Sequence, residues 1–474
     1  MIFSSIEFIC VFLPVVFFLY CLVPGTYFKN ILLIIASLLF YAYGEPSYVL
    51  LMAGSAFLNY IFAIAIANSK RKKIYLIFSV IINIGLLIYF KYTAFFIGTW
   101  NSISGQHLNI PYIKLPVGIS FFTFQALSYV IDVYYEKIEL QKSFGKVLLY
   151  ISFFPQLIAG PVVKYRDINN SLANRKIDIN QVFEGIRRFI CGLGKKVLIA
   201  NTMGQTADVV FNAARGDINI LSAWIGAISY MMQIYYDFSG YSDMAIGLGK
   251  MFGFEFQENF KYPYGAASIK EFWQRWHISL SSWFKEYLYI PLGGNRKGTI
   301  RTSINKFIVF FCTGLWHGAN WTFIVWGLYH GFFSVLEEFI PFIKRIPKAL
   351  AYIYTMAVVC IGFVVFRADS IQDALYINSQ MFTGISFDNY KMSFVTSQLN
   401  PWFITMLFAA FAGILPVKIV KDKIQNILNK KNGYITWEFI VINAFSYIAP
   451  VLLLMWCIVR LSGNTYNPFI YFRF

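Results

Sequence analysis

Charge is what this 474-residue sequence has least of: only 13% of its residues are Asp, Glu, Lys or Arg, against roughly a quarter in a soluble globular chain. So few charges cannot cover a water-facing surface. Together with 58% hydrophobic residues and a mean hydropathy of +0.57, they imply an integral membrane protein. Histidine is scarce too. The four present, His107, His277, His317 and His330, have no HExxH or CxxC context, so no metal site is expected. Six cysteines (Cys10, Cys21, Cys191, Cys312, Cys360 and Cys457) are scattered through apolar sequence without paired spacing. That argues against a disulfide framework and reads as small buried hydrophobes. Internal repeats, low-complexity linkers and long polar stretches are missing, so residues 1–474 are expected to form a single membrane domain.

The charges that are present carry topology. Forty Lys and Arg against 23 Asp and Glu give +17. In a soluble protein this would suggest nucleic acid, but here the basic residues fall between apolar runs and no RNA- or DNA-binding motif accompanies them. Met1 to Ser5 lacks the basic start of a signal peptide, so the apolar run from Phe8 to Leu22 is expected to be a retained first span. Lys70-Arg71-Lys72-Lys73 follows the third apolar run and marks a cytoplasmic end, which puts the N-terminus outside. Continuing in this way, the fold expected is all-α and polytopic. About 11 transmembrane helices, with re-entrant and interfacial helices, would surround a central cavity.

Several stretches depart from a plain span. Leu115 to Tyr135 carries Pro116, Gly118, Gln125 and Asp132, and Val147 to Val163 carries Pro155, Gly160 and Pro161. Such interruptions at membrane depth mark broken or re-entrant helices that line cavities. Arg187-Arg188 and Lys195-Lys196 frame a segment read as too brief to span. Leu221 to Tyr236 reads as a span ending at Asp237-Phe238-Ser239, where the carboxylate either caps a following helix, pairs with a buried cation or lines a polar cavity. Ser268 to Tyr289 places Trp273, Trp276, Leu280, Trp283, Phe284 and Tyr287 on one face of a 100° wheel, the pattern of an interfacial amphipathic helix, with His277 at the edge of that face. Finally, Trp316-His317-Gly318-Ala319-Asn320-Trp321 sets an imidazole between two apolar runs. An ionisable group at membrane depth costs ~2–3 kcal/mol or more and is a functional candidate by default. The alternative is a neutral His bonded to a helix carbonyl. His330, thirteen positions on, would face away from His317 on a continuous helix and is left out of the site.

Four of these patterns occur in order: Phe153-Phe154-Pro155-Gln156-Leu157-Ile158-Ala159-Gly160-Pro161, Tyr236 to Ala245, Ser268 to Ser279, and the His317 stretch. Together they resemble the membrane-bound O-acyltransferase family, in the bacterial branch of alginate and peptidoglycan O-acetylases. The similarity runs from about 116 to 330 and includes an aromatic tail at 467–474. The resemblance implies His317 as the catalytic histidine and His277 at the family's second position. Trp316, Asn320, Asp237, Ser239 and Trp276 are candidates for the cavity. It further implies acetyl-CoA as a transient donor with no permanently bound cofactor, and a cell-surface polysaccharide as acceptor. An extracytoplasmic esterase-like (SGNH-type) partner is implied as well, all at the bacterial cytoplasmic membrane. The tail contains Tyr471, for which the resemblance implies an acyl relay; an interfacial anchor uses the same residue types. D-alanyl transfer to teichoic acid, a transporter or flippase for an acyl donor or lipid-linked sugar, and a secretion scaffold are the competing expectations.

Overall fold

A computed structural model of the protein describes residues 1–340, 346–414, 437–463 and 466–470, with backbone only for 437–446. It is 77% helical with no strand among the described residues, which makes the fold all-α. Among the described residues, four helices are long and apolar enough to cross a bilayer by length and composition: Thr26–Gly44, Pro46–Asn68, Lys72–Ser104 and Lys348–Arg367. Shorter apolar helices, among them Phe8–Leu22, Ile119–Tyr134 and Pro401–Ile414, pack beside them. The loop that holds His107 is exposed.

Residues 144–164 behave as the proline and glycine content implies. Helix Phe144–Ser152 breaks at Phe153, a short turn Phe154–Leu157 follows, and the chain returns to Lys164, which pairs with Glu286 at 2.6 Å. Gly118, at φ 77°, is needed where this segment turns, because a Cβ there would lie 2.8 Å from the Leu157 carbonyl oxygen.

Three expectations are corrected. The span ending at Tyr236 instead runs on unbroken as the 32-residue helix Ile220–Met251. It starts with an Asn219–Ser222 capping box, so Asp237 is no cap but lies mid-helix. The segment 187–196, read as too short to span, belongs to a continuous helical run from 179 to 211. Its charges are matched rather than excluded: Arg188 and Lys195 pair with Asp243, and Lys196 with Asp237, across the interface. These antiparallel helices meet at reciprocal glycines. A Cβ on Gly192 would come within 2.5 Å of the Gly240 carbonyl oxygen, and one on Gly247 within 2.5 Å of that of Gly185. Small residues allow such approach where no hydrophobic effect drives helices together. Lastly, Cys10, Cys21 and Cys191 are exposed and Cys312 half-buried. A surface facing hydrocarbon accepts a small apolar side chain as readily as a core does, so apolar context did not imply burial.

Gly192→Val should therefore destabilise the protein by about 1–3 kcal/mol through overpacking. Gly54→Ala, where nothing lies within 4 Å, should be neutral or mildly stabilising. Thermal unfolding of both variants in one detergent checks the contrast.

Candidate active site

His317 is the last residue of helix Gly298–His317, and Asn320 starts the next one, Trp321–Phe339, by accepting a hydrogen bond from the Thr322 N–H at 3.1 Å. The two helices close on each other through Gly314 and Gly327, whose added Cβ atoms would each meet a facing carbonyl at 2.4 Å. The break therefore places His317 at a helix C-terminus, where carbonyls lack intrahelical partners. Those carbonyls are taken by the helix Lys72–Ser104. Lys91 Nζ donates to the Trp316 carbonyl at 2.7 Å and to that of His317 at 2.9 Å, and the Tyr92 hydroxyl donates to Leu315. A cation is the favoured partner at this end of a helix. Both residues sit in a π-helical turn, Ile88–Tyr92, a local widening often found at functional sites. Sequence reasoning passed over Lys91, although a lysine inside an apolar run is itself the signal.

The imidazole of His317 is buried among rings, edge-on to Trp326 (5.2 Å, 89°) and Phe366 (5.1 Å, 82°). His277 approaches from the other side. The amphipathic helix expected over Ser268–Tyr289 is in fact two short helices, Ile269–Arg275 and Ile278–Phe284, broken at His277. Its aromatic residues Trp276, Trp283, Phe284 and Tyr287 are buried in the protein and not laid on a headgroup layer. The cause lies in a neighbouring segment: the Ile278 N–H donates to the Asn259 carbonyl and the Lys261 N–H to that of Arg275, diverting the backbone from the helix. His277 itself is held at φ 44°, ψ 54°, a conformation costly for a non-glycine residue and concentrated at functional sites.

Asn259 fixes the His277 ring as well. Its Oδ1 accepts from the Ser279 N–H (3.2 Å) and hydroxyl (2.8 Å), which establishes it as the oxygen, and lies 3.2 Å from His277 Nδ1. Nδ1 therefore carries the proton, and the basic lone pair is on Nε2. Nothing in the sequence pattern pointed to Asn259.

His277 and His317 share the wall of a small space of about 20 Å³, with Phe238, Trp276, Trp326 and Ile470. That volume is on the scale of one water molecule. Two larger cavities are lined by the 316–320 turn, the first of them by His317 itself. One, about 240 Å³, is lined by Trp316, His317, Lys91 and Phe121 and rimmed by Glu45 and Lys114, which pair at 2.8 Å. The other, about 280 Å³, is lined by Lys91, Gly318, Asn320, Arg367 and Asp369.

The remaining candidates are placed as follows. Trp316 and Trp276 are cavity walls, and Asn320 lines the second cavity while its Nδ2 donates to the Asp369 carbonyl. Ser239 is buried on the Ile220–Met251 helix and lines none of these three cavities. Asp237 pairs with Lys196 and accepts the Ile470 N–H at 2.8 Å. His330 is buried against Trp273 and Trp326, away from the small space. Tyr471 lies outside the described residues.

The site is thus a buried pair of histidines beside two larger cavities in an all-helical body. A family model, "MBOAT, membrane-bound O-acyltransferase family", matches residues 135–371. The chain belongs to that family and is an acyltransferase. It is 37% identical over 496 residues to the "Probable alginate O-acetylase AlgI" of Pseudomonas putida, covering 100% of both chains. The peptidoglycan O-acetyltransferase of Helicobacter pylori is 38% identical over 421 residues, covering 80% of this chain and 79% of that one. The teichoic acid D-alanyltransferase of Bacillus subtilis is more distant, 28% identical over 53% of this chain.

Asn259→Ala should release both the ring and the left-handed backbone of His277. The expected result is acyl transfer slowed about 10–100-fold, the range of losing a support to a catalytic histidine, with thermal stability lowered by no more than about 2 kcal/mol. Turnover of labelled acyl donor beside a melting curve checks both numbers.

Proposed function

We propose that the protein transfers an acetyl group from acetyl-CoA, across the bacterial cytoplasmic membrane, for O-acetylation of a cell-surface polysaccharide. His317 acts as general base. The observation that carries this reading is the meeting of His317, His277 and Ile470 around one small space, with larger cavities on either side of the 316–320 turn. In the step proposed, a hydroxyl oxygen attacks the thioester carbonyl while His317 takes its proton. The tetrahedral intermediate then collapses, breaking the C–S bond, and the proton passes to the departing thiolate. A positioned histidine contributes typically ~10²–10⁴-fold in such a step. His277, whose Nε2 can accept but not donate, shares the wall of the same space as a second proton acceptor beside His317. Alginate, peptidoglycan and another exopolysaccharide all suit the relatives' names, and an SGNH-type extracytoplasmic transferase completes delivery.

The orientation proposed has the N-terminus outside and about 11 spans, on the strength of Lys70 to Lys73. At about 1.5 Å per residue, Lys91 lies ~28 Å along its helix from that basic end. His317, bonded to Lys91 through its carbonyl, would then sit in the outer half of the membrane, nearer the acceptor than the cytoplasm. That distance favours a relay: Tyr471 receives the acetyl group and passes it on, splitting one long transfer into two short ones. Ile470 beside the histidines supports the same reading.

His317→Ala should abolish polymer acetylation while leaving polymer export normal; loss of both from a stably expressed variant would overturn the enzymatic reading. Incubation with labelled acetyl-CoA should place label on the C-terminal peptide, and Tyr471→Phe should remove it, as read by mass spectrometry.

A further inference from the structure

In the described part of the C-terminal segment, residues 466–470, Phe469 and Ile470 are buried in the helix bundle, Tyr466 and Asn467 are half-buried and Pro468 is exposed. Tyr466 donates its hydroxyl to Asp208 at 2.6 Å, and Asp208 pairs with Arg367. The Asn467 amide donates to the Ser4 carbonyl at 2.8 Å and accepts from Asn201 at 3.2 Å, and Phe469 stacks on Tyr241 with centroids 4.5 Å apart. At the deepest point stands an ion pair, Lys196 and Asp237, 2.8 Å apart and each only 2% exposed. Both partners also bond this segment, and Lys196 donates in addition to Asn201 Oδ1 at 2.8 Å. Lys196 donates to the Pro468 carbonyl, and Asp237 accepts the Ile470 N–H at 2.8 Å. The next side chain contact along the segment is Ile470 in the wall shared by His277 and His317.

A buried ion pair at this depth needs further hydrogen bonds to be tolerable, and here a main-chain carbonyl and N–H two residues apart supply them. We propose that Lys196 and Asp237 form a receptor for the chain's own C-terminal segment. They grip its backbone at Pro468 and Ile470 and so hold Ile470 in the wall it shares with His277 and His317. They are positioning residues that act through the segment and do not touch the reacting atoms. Because the grip is on main-chain groups, these two bonds do not depend on which side chains stand at 468–470, and the stacking of Phe469 on Tyr241 adds to them. What it requires is a carbonyl at one position and an N–H two positions later. Proline at 470 would remove that N–H without disturbing the ion pair or the helices that carry it.

The inference rests on the acyl-transfer reading only for its activity readout, so docking is measured separately. Full-length Ile470→Pro and Ile470→Ala, with Lys196→Met and Lys196→Arg, would be purified in detergent. Each would be treated with a carboxypeptidase, and loss of the terminal residues followed by intact mass. The expected result is that Ile470→Pro and Lys196→Met lose their C-termini at least 10-fold faster than the unaltered chain, with acetyl transfer reduced at least 10-fold. Ile470→Ala and Lys196→Arg should stay protected. If Lys196→Met fails to fold, the Ile470 pair decides alone, since its substitution lies at the chain's end. Equal protection of Ile470→Pro and Ile470→Ala would overturn the proposal. His317→Ala serves as the separating control: it should lose transfer while its C-terminus remains protected. A His317→Ala chain that keeps transfer would sink the catalytic reading and leave the receptor standing.

Discussion

Hydrocarbon offers no hydrogen bonds, so every backbone group freed by a break in a helix, and every charge carried to membrane depth, must be satisfied by another part of the chain. The site exists because this protein breaks its helices there. The carbonyls freed at 315–317 are answered by Lys91 and Tyr92. The backbone diverted at His277 is answered by Asn259 and Lys261. Asp237 and Asp243, mid-helix carboxylates, are answered by Lys196, Lys195 and Arg188 from the facing helix. Leaving one member of such a buried pair alone costs about 3–5 kcal/mol, so these partners stand or fall together. The active centre is thus a set of interruptions, each closed by a residue remote in sequence.

This explains which parts of the molecule were legible in the sequence. Composition and apolar runs report lipid contact directly, so the all-α membrane class and most helix positions could be read. The His317 stretch and the proline-rich run at 153–161 were legible because breakers and an imidazole are conspicuous against Leu, Ile and Phe. The 179–211 and 220–251 helices were misread because their charges look like loop residues until the facing helix is known. Periodicity marked Trp276, Trp283 and Tyr287 as apolar contacts, and all three are buried, yet a wheel assumes an unbroken helix and cannot see the bond from Ile278 to Asn259 that separates Trp276 from the other two. Asn259 stayed hidden for the same reason, since what it does is decided by long-range contacts, whereas Lys91 was visible as a lysine in an apolar run and only its partners were not.

The histidines differ in how they are held. His277 is fixed through its ring, by a side chain that also dictates its tautomer, and through a backbone conformation that few residues tolerate. His317 is fixed through its main chain and by the rings around it. Such a division suits a base that must change protonation during a reaction beside a partner that keeps a constant hydrogen-bonding pattern.

The glycine-seamed pair at 179–211 and 220–251 bears on how the protein enters its membrane. Neither helix is among those apolar enough to qualify as a span by composition, and each charged residue near mid-membrane opposes insertion by the translocon at ~2.5–3.5 kcal/mol. Inserted one at a time, Lys196 and Asp237 would each face lipid alone. The connection between the helices, 212–219, is short, so the second can follow the first before it leaves the translocation channel. Paired as a hairpin, the two helices cancel these charges within their own seam, Lys196 against Asp237 and Lys195 against Asp243, with Gly192 seated on Gly240. The polar centre of this apolar protein thus depends on the two helices being brought together.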